Sequence, residues 1–367
     1  MPRLHNFNAG PAVLPLPVLQ RVQNELLDLP LGGLSDGTFH GTSILEMSHR
    51  APAFESIISS AETRIRDLLG LSDAFKVLFL QGGASLQFSM VPMNFLGDDR
   101  RGSYILTGDW GRKAFHEAQK HGKAHVALSM KDSNFTRVPT EDENRWGGGA
   151  GYIHFTSNET IQGVQWPREP QSAAPLICDA SSDIMSRPIA VGKYGLIYAG
   201  AQKNIGPSGV TLVIVREDML DFIPNNLPTM LDYRTYVKSR SLYNTPNTFG
   251  IYLVDLVCEW LQSLGGLKAM QTRNEAKAKL IYDVIDESVF YRGHAETGSR
   301  SQMNVTFRLL DQSLEKMFLS EAKEQGMMGL PGHRDVGGVR ASLYNALPIE
   351  SAQLLADFMR DFARRNG

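Results

Sequence analysis

The sequence predicts an α/β fold: a large domain whose mostly parallel central sheet is flanked by helices, followed by a smaller α+β domain at the C-terminus. Two observations predict it. Between residues 76 and 215 short β-rich runs alternate with helical patterns, and several runs are continuously apolar, as strands covered on both faces are. After Thr248 that alternation stops and long amphipathic patterns take over.

The expected strands cover residues 76–80, 103–107, 125–129, 152–156, 176–179, 196–199 and 210–215. Ile251, Leu253, Val254, Val257, Trp260 and Leu261 then recur at helical spacing and run towards Gly265-Gly266, a stop signal. A second long helix follows from Leu267 to about Asp286. Residues 301–309 alternate like a half-buried strand, and after a further helix residues 338–345 form another. Leu354, Leu355, Phe358, Met359 and Phe362 mark a final amphipathic helix. Residues 141–151, with Trp146 and Gly147-Gly148-Gly149, read as a flexible loop.

Composition narrows the function. A chain of 367 residues, 42% hydrophobic and 21% charged, has length and apolar residues enough for two domains or for one large domain and a small one. Lys and Arg number 37 against 39 Asp and Glu, so no global field draws in nucleic acid or an anionic membrane. Cys178 and Cys258 stand far apart and make no disulfide framework or metal motif, which points to a reducing, cytoplasmic setting. The apolar stretch 11–19 is cut by Pro11, Pro15 and Pro17 and makes a poor signal peptide; no run reaches the ~18 residues of a membrane helix.

Several strand ends carry chemistry. Gln81-Gly82-Gly83-Ala84-Ser85-Leu86-Gln87 is a small-residue turn feeding a helix, which suits a phosphate but equally suits a plain tight turn. Asp179 ends the run Pro175-Leu176-Ile177-Cys178 where open α/β sheets face their ligand crevice; the alternative is a helix N-cap beside Ser181 and Ser182. Lys203, in Tyr198-Ala199-Gly200-Ala201-Gln202-Lys203-Asn204, follows a strand among small residues, where desolvation frees an amine to react with an aldehyde. Lys203 with Asp179 matches the needs of pyridoxal phosphate: an amine for the aldehyde and an anion for the ring nitrogen.

His49-Arg50 and His333-Arg334 are two His-Arg pairs beside turns, and Arg340 opens a strand; arginine forks of this kind hold phosphate or carboxylate, while surface decoration is the plain alternative. Trp110, after Thr107-Gly108-Asp109, either covers a planar ligand or fills the core. His116, His121 and His125 do not share a helix face if Gly122 ends the helix, so no metal site is expected.

Taken together, these stretches resemble the phosphoserine aminotransferases, pyridoxal-phosphate enzymes of aminotransferase class V with the type I transferase fold. The likeness runs from Phe7-Asn8-Ala9-Gly10-Pro11 to the last helix. It is carried by Met47-Ser48-His49-Arg50, by the run from Ile197 to Pro207 around Lys203, and by Gly332-His333-Arg334 through Arg340-Ala341-Ser342-Leu343-Tyr344-Asn345-Ala346.

The resemblance implies a division into a large cofactor-binding domain, 16–265, and a small domain of 1–15 with 266–367. It makes Lys203 the residue bonded to the cofactor aldehyde, Asp179 the partner of the ring nitrogen and Trp110 the stacking ring. It puts Thr160 in hydrogen-bond reach of the cofactor, with Ala84, Ser85 and Gln202 around its phosphate. Asn244 and Thr245 would reach that phosphate from a neighbouring subunit, which implies a homodimer with shared sites. Arg340 would bind the substrate α-carboxylate, and His49, Arg50, His333 and Arg334 the substrate phosphate or the distal carboxylate of glutamate. Ser85 departs from members with arginine there, which removes one positive charge from the anion site.

The implied reaction moves an amino group from L-glutamate to 3-phosphohydroxypyruvate in a ping-pong sequence, giving O-phospho-L-serine and 2-oxoglutarate in serine biosynthesis. The phosphorylated hydroxythreonine of pyridoxine biosynthesis stays open as a second substrate. Among rivals, a cysteine desulfurase needs a mobile reactive thiol, which neither cysteine offers. A glyoxylate-type aminotransferase has little use for two His-Arg pairs. A non-catalytic binding protein on the same layers is the alternative from another class.

Overall fold

The structure, a computed structural model, describes residues 3–29, 41–97, 100–143, 149–333 and 337–367. Helices α1 (Leu16–Glu25) and α2 (Pro52–Leu69) precede the central sheet. Its strands are β1 (Phe75–Leu80), β2 (Gly102–Leu106), β3 (Ala124–Ser129), β4 (Tyr152–Thr156), β5 (Leu176–Asp179), β6 (Tyr194–Gly200) and β7 (Thr211–Arg216). They lie in the order β1-β7-β6-β5-β4-β2-β3. The strand β7 runs antiparallel to both its neighbours and the other six are parallel to one another.

Side chains alternate across this sheet. Val77, Phe79, Ile153, Phe155, Cys178 and Ile197 pack on the face covered by α1, α2 and α6 (Thr248–Ser263). Leu78, Leu80, Tyr152, Ile177, Leu196 and Tyr198 pack on the face covered by α3 (Gly83–Phe95), α4 (Asp109–Ala118) and α5 (Tyr233–Lys238). Burial on both faces is why the runs read as continuously apolar. The edge strand β3 is half open, with Val126 39% exposed. At the other edge the Phe79 N–H donates to Ser241 Oγ at 2.9 Å, so part of that edge is closed by a side chain.

A long helix, α7 (Gly266–Glu287), leads into an antiparallel sheet of β8 (Tyr291–Gly293), β9 (Asn304–Leu309) and β10 (Val339–Ser342). With α8 (Glu315–Glu324) and α9 (Ile349–Asn366) these elements enclose a separate core that also takes in Phe7 and Val13. Residues His5–Asn6 pair with Met327–Met328, which ties the N-terminal segment to this unit.

Two strands are shorter than the alternation predicts. Residue 301 does not start β9, because Ser301 Oγ accepts the N–H groups of Met303 and Asn304 at 3.0 and 2.8 Å and turns the chain before the ladder begins. β10 ends at Ser342 rather than Asn345, because the carbonyls of Leu343, Tyr344 and Asn345 turn to the buried ammonium of Lys277. Nor does a helix follow Asp179: its Oδ1 accepts the Ser181 N–H at 3.0 Å and closes a turn instead of capping a helix. His125 lies on β3 with its ring 3.0 Å from Ser103 Oγ, apart from the helix that carries His116. Of the expected 141–151 loop, residues 144–148, including Trp146, lie outside the described residues. Among the described residues no helix is long and apolar enough to cross a membrane, and no group of three or more His, Cys, Asp or Glu side chains could hold a metal ion.

Candidate active site

The C-terminal ends of β1, β2, β4, β5 and β6 all open onto one cavity of about 280 Å³. From the chain after β6 comes Lys203, whose Nζ donates to Thr160 Oγ1 at 2.8 Å and to Ser182 Oγ at 2.7 Å. Burial lowers its pKa to about 8, against the pull of Asp179. The carboxylate of Asp179, at the end of β5, is 4% exposed; burial raises its pKa, and the Ser181 hydrogen bonds and the nearby Lys203 charge hold it back. The Trp110 ring, in the first turn of α4, has its centroid 5.7 Å from Lys203 Nζ.

Ala84 and Ser85 sit in the first turn of α3, ahead of its first intrahelical bond, from Leu86 N–H to the Gly82 carbonyl at 3.3 Å. Gly82 enters that helix at φ +84°, a conformation that favours glycine. The free N–H groups and positive dipole end of α3 face the cavity, as an anion requires. Gln202 lines the wall beside Lys203, and its carbonyl accepts the Ala12 N–H at 2.8 Å, which draws the N-terminal segment over the site.

Arg340 and His333 form the outer wall. They also border a larger cleft of about 620 Å³, lined further out by Arg292, His294 and Arg308. Arg334 lies outside the described residues.

Four expected residues are not brought to this cavity within the single chain. Arg50 is exposed and His49 half-buried, both just ahead of α2, and neither lines it. Asn244 and Thr245 are exposed, and Asn244 borders a separate groove of about 230 Å³ with Gln81 and Gly82 at the foot of α3.

Sequence reasoning passed over Ser182, which was weighed only as part of a cap, and Thr156 and Glu159, which carried no signal at all. The hydroxyl of Thr156 is buried in the cavity wall without a partner, as is the Trp110 indole N–H. Unspent polar atoms, a desolvated amine, a buried carboxylate, an aromatic face and a helix N-terminus in one cavity fit pyridoxal phosphate: aldehyde, ring nitrogen, ring and phosphate each meet a group suited to them. Cys178 and Cys258 are buried and unpaired, and burial raises both thiols, so neither is poised as a nucleophile.

Comparison with known proteins agrees. Residues 4–355 match the aminotransferase class-V family. The phosphoserine aminotransferase of Geobacillus kaustophilus is 54% identical over 366 residues, covering 100% of this chain and 99% of that protein. The structure of the phosphoserine aminotransferase from Bacillus circulans subsp. alkalophilus superposes with a TM-score of 0.94 at 51% identity, covering 100% of this chain and 99% of that one. A pyridoxal-phosphate-bound phosphoserine aminotransferase from Trichomonas vaginalis does so with a TM-score of 0.91 at 36% identity, covering 98% of this chain and 100% of that one. By family model, sequence and fold alike, the chain belongs to the class-V aminotransferases, in their phosphoserine aminotransferase family.

Proposed function

We propose that the chain is a pyridoxal-phosphate-dependent transaminase that moves the amino group of L-glutamate to 3-phosphohydroxypyruvate, giving O-phospho-L-serine and 2-oxoglutarate. The observation that carries this is the buried amine of Lys203, shared between Thr160 and Ser182, in one cavity with Asp179, Trp110 and Arg340.

When bound, pyridoxal phosphate supplies an aldehyde that amines can capture and a ring that draws electrons away from the substrate Cα. Lys203 would hold the cofactor through its aldehyde, and its nitrogen, when free, would be the base that moves the substrate Cα proton. A pKa of about 8 leaves about a tenth of that amine unprotonated at pH 7, far more than an ordinary lysine would. Thr160 and Ser182 hold that nitrogen at 2.8 and 2.7 Å. Asp179 keeps the cofactor ring nitrogen protonated, and burial strengthens that pairing by excluding water.

Arg340 takes the substrate α-carboxylate and His333 its distal anion, with Arg334 beside it in sequence. Ala84, Ser85 and Gln202 hold the cofactor phosphate at the start of α3. His49, Arg50, Asn244 and Thr245 complete the site from a second copy of the chain. Exposed Leu45, Met230 and Tyr243, at 62%, 37% and 53%, support a homodimer because they flank those segments with apolar surface. The core joining Phe7 and Val13 to residues 278–362 supports the division into 16–265 and 1–15 with 266–367. Two unpaired, buried cysteines support a cytoplasmic setting.

The test is the absorption spectrum of the cofactor-loaded protein before and after adding O-phospho-L-serine, with serine and alanine as controls. Conversion of the lysine-bound cofactor band to that of the aminated cofactor by phosphoserine alone is the expected outcome. Equal conversion by alanine would overturn the phosphate selectivity, and a colourless protein would overturn the assignment of Lys203.

A further inference from the structure

Glu159 is fully buried, at 0% exposure, and gives both carboxylate oxygens to one helix end. Oε2 accepts the Trp110 N–H and Oε1 the Gly111 N–H, each at 2.9 Å. The position before α4 is Gly108, which has no side chain to cap the helix, and a Cβ there would stand 2.5 Å from Glu159 Cδ. Three residues on, Gln162 donates to Asp109 Oδ2 at 2.7 Å. Between these two, Thr160 holds Lys203 Nζ. One short segment therefore grips both the amine and the helix end that carries Trp110.

A buried carboxylate is a costly way to cap a helix; an exposed serine or aspartate at the N-cap would serve. Among the described residues Glu159 has no ion-pair partner within salt-bridge distance. Its charged surroundings are Lys203, which attracts it, and Asp179 and Asp109, which repel it. The two N–H groups and the helix dipole, with the more distant Lys203 charge, offset its desolvation.

We propose that Glu159 is a positioning residue that fixes the Trp110 ring relative to Lys203 and so shapes the cofactor slot before the cofactor arrives. This rests on the roles of Trp110 and Lys203 given above. Burial raises the Glu159 carboxyl to about 7, so both of its forms are populated near neutral pH. Protonation turns one acceptor into an O–H facing a backbone N–H, and the grip loosens as pH falls.

The test uses the apoprotein and two variants, E159Q and G108A. The first keeps the shape but offers an NH2 to a backbone N–H; the second drives a methyl group into the Glu159 carboxyl from the opposite side. Hydrogen exchange of the peptide spanning residues 105–118 should speed up in both. Pyridoxal phosphate affinity should fall about tenfold at pH 8, the loss of roughly one charge-assisted hydrogen bond. The ratio of E159Q to wild-type dissociation constants should shrink towards one below about pH 6, where the wild-type carboxyl is itself neutral.

Faster exchange with unchanged cofactor affinity would reduce Glu159 to a helix cap and overturn the proposal, as would a ratio that does not depend on pH. Should E159Q fail to fold, G108A decides through the first two readouts. A wild-type apoprotein that binds no pyridoxal phosphate would instead overturn the functional assignment, which is a separate outcome.

Discussion

Lys203 Nζ donates to Ser182 Oγ at 2.7 Å, and Ser182 Oγ in turn lies 2.6 Å from Thr160 Oγ1, the second acceptor of the same amine. The nitrogen is thus held at two points of a closed polar triangle. Replacing Lys203 by Ala should abolish turnover and the lysine-bound cofactor band together. Ser182→Ala should leave the band in place and lower kcat about fivefold with little change in KM, since one hydrogen bond worth roughly 1 kcal/mol orients the base. Steady-state kinetics and absorbance check both; a Ser182→Ala enzyme with wild-type kcat would remove Ser182 from the site.

The depressed pKa of Lys203 has a sign that can be followed in the apoprotein. Burial takes it from 10.5 to about 8, so the free amine, the form that attacks an aldehyde, accumulates as pH rises through 8. The rate of covalent capture at saturating pyridoxal phosphate should climb to about pH 8 and then level off. An ordinary lysine would keep gaining roughly tenfold per pH unit until ~10. Stopped-flow absorbance across that range distinguishes the two. Because the folded pKa lies below the unfolded one, this group also adds stability as pH rises from about 8 towards 10.5.

Asp179 has a role that an isosteric change isolates. Asp179→Asn keeps the volume and the acceptor for the Ser181 N–H but removes the charge beside the cofactor ring nitrogen. Cofactor should still bind, while kcat falls by about 100-fold or more, the usual scale for losing proton control at a reacting system. Unaltered kcat would refute the pairing.

The central strands were legible because burial on both faces leaves a signature in each run: residues 152–156 and 176–179 coincide with β4 and β5 to the residue. Lys203 and Asp179 were legible for a related reason, since a strand end announces where its next side chain lies. Ser182 was not, because the turn after Asp179 has no period and its partner is 21 residues away. Glu159 was hidden in the same way: the N–H groups it accepts belong to residues 48 and 49 positions earlier, and nothing local distinguishes it from a surface glutamate. The end of β10 was misjudged because its competitor, Lys277, sits on another element.

Lys277 is 2% exposed, and its Nζ donates to the carbonyls of Leu343, Tyr344 and Asn345 at 2.6, 2.7 and 3.4 Å. This bend follows Arg340 by only a few residues, and the Asn345 N–H reaches Asn204, the neighbour of Lys203, at 3.0 Å. Lys277→Met fills the same volume yet leaves the buried carbonyls of Leu343 and Asn345 without that donor, the Tyr344 carbonyl keeping the Leu347 N–H at 2.9 Å, at about 1–3 kcal/mol for each unsatisfied group before relaxation. Allowing for relaxation, a loss of about 2–4 kcal/mol is expected by denaturant unfolding, together with weaker substrate binding as the bend shifts Arg340. Stability within ~0.5 kcal/mol of wild type would show that water replaces the ammonium there.

His49 and Arg50 stand clear of the Lys203 cavity in their own chain, so any part they take in anion binding has to be played across an interface. That geometry gives a complementation test. A Lys203→Ala protein and a His49→Ala/Arg50→Ala protein should each be inactive or nearly so. In a two-fold dimer each heterodimer would join an intact Lys203 from one copy to an intact His49 and Arg50 from the other at one of its two sites. Random exchange makes half of the dimers mixed, so unfolding and refolding the two together should restore about a quarter of wild-type activity. If each chain supplied its own His49 and Arg50, the mixed dimers would contain no complete site, and the mixture would stay as inactive as its components.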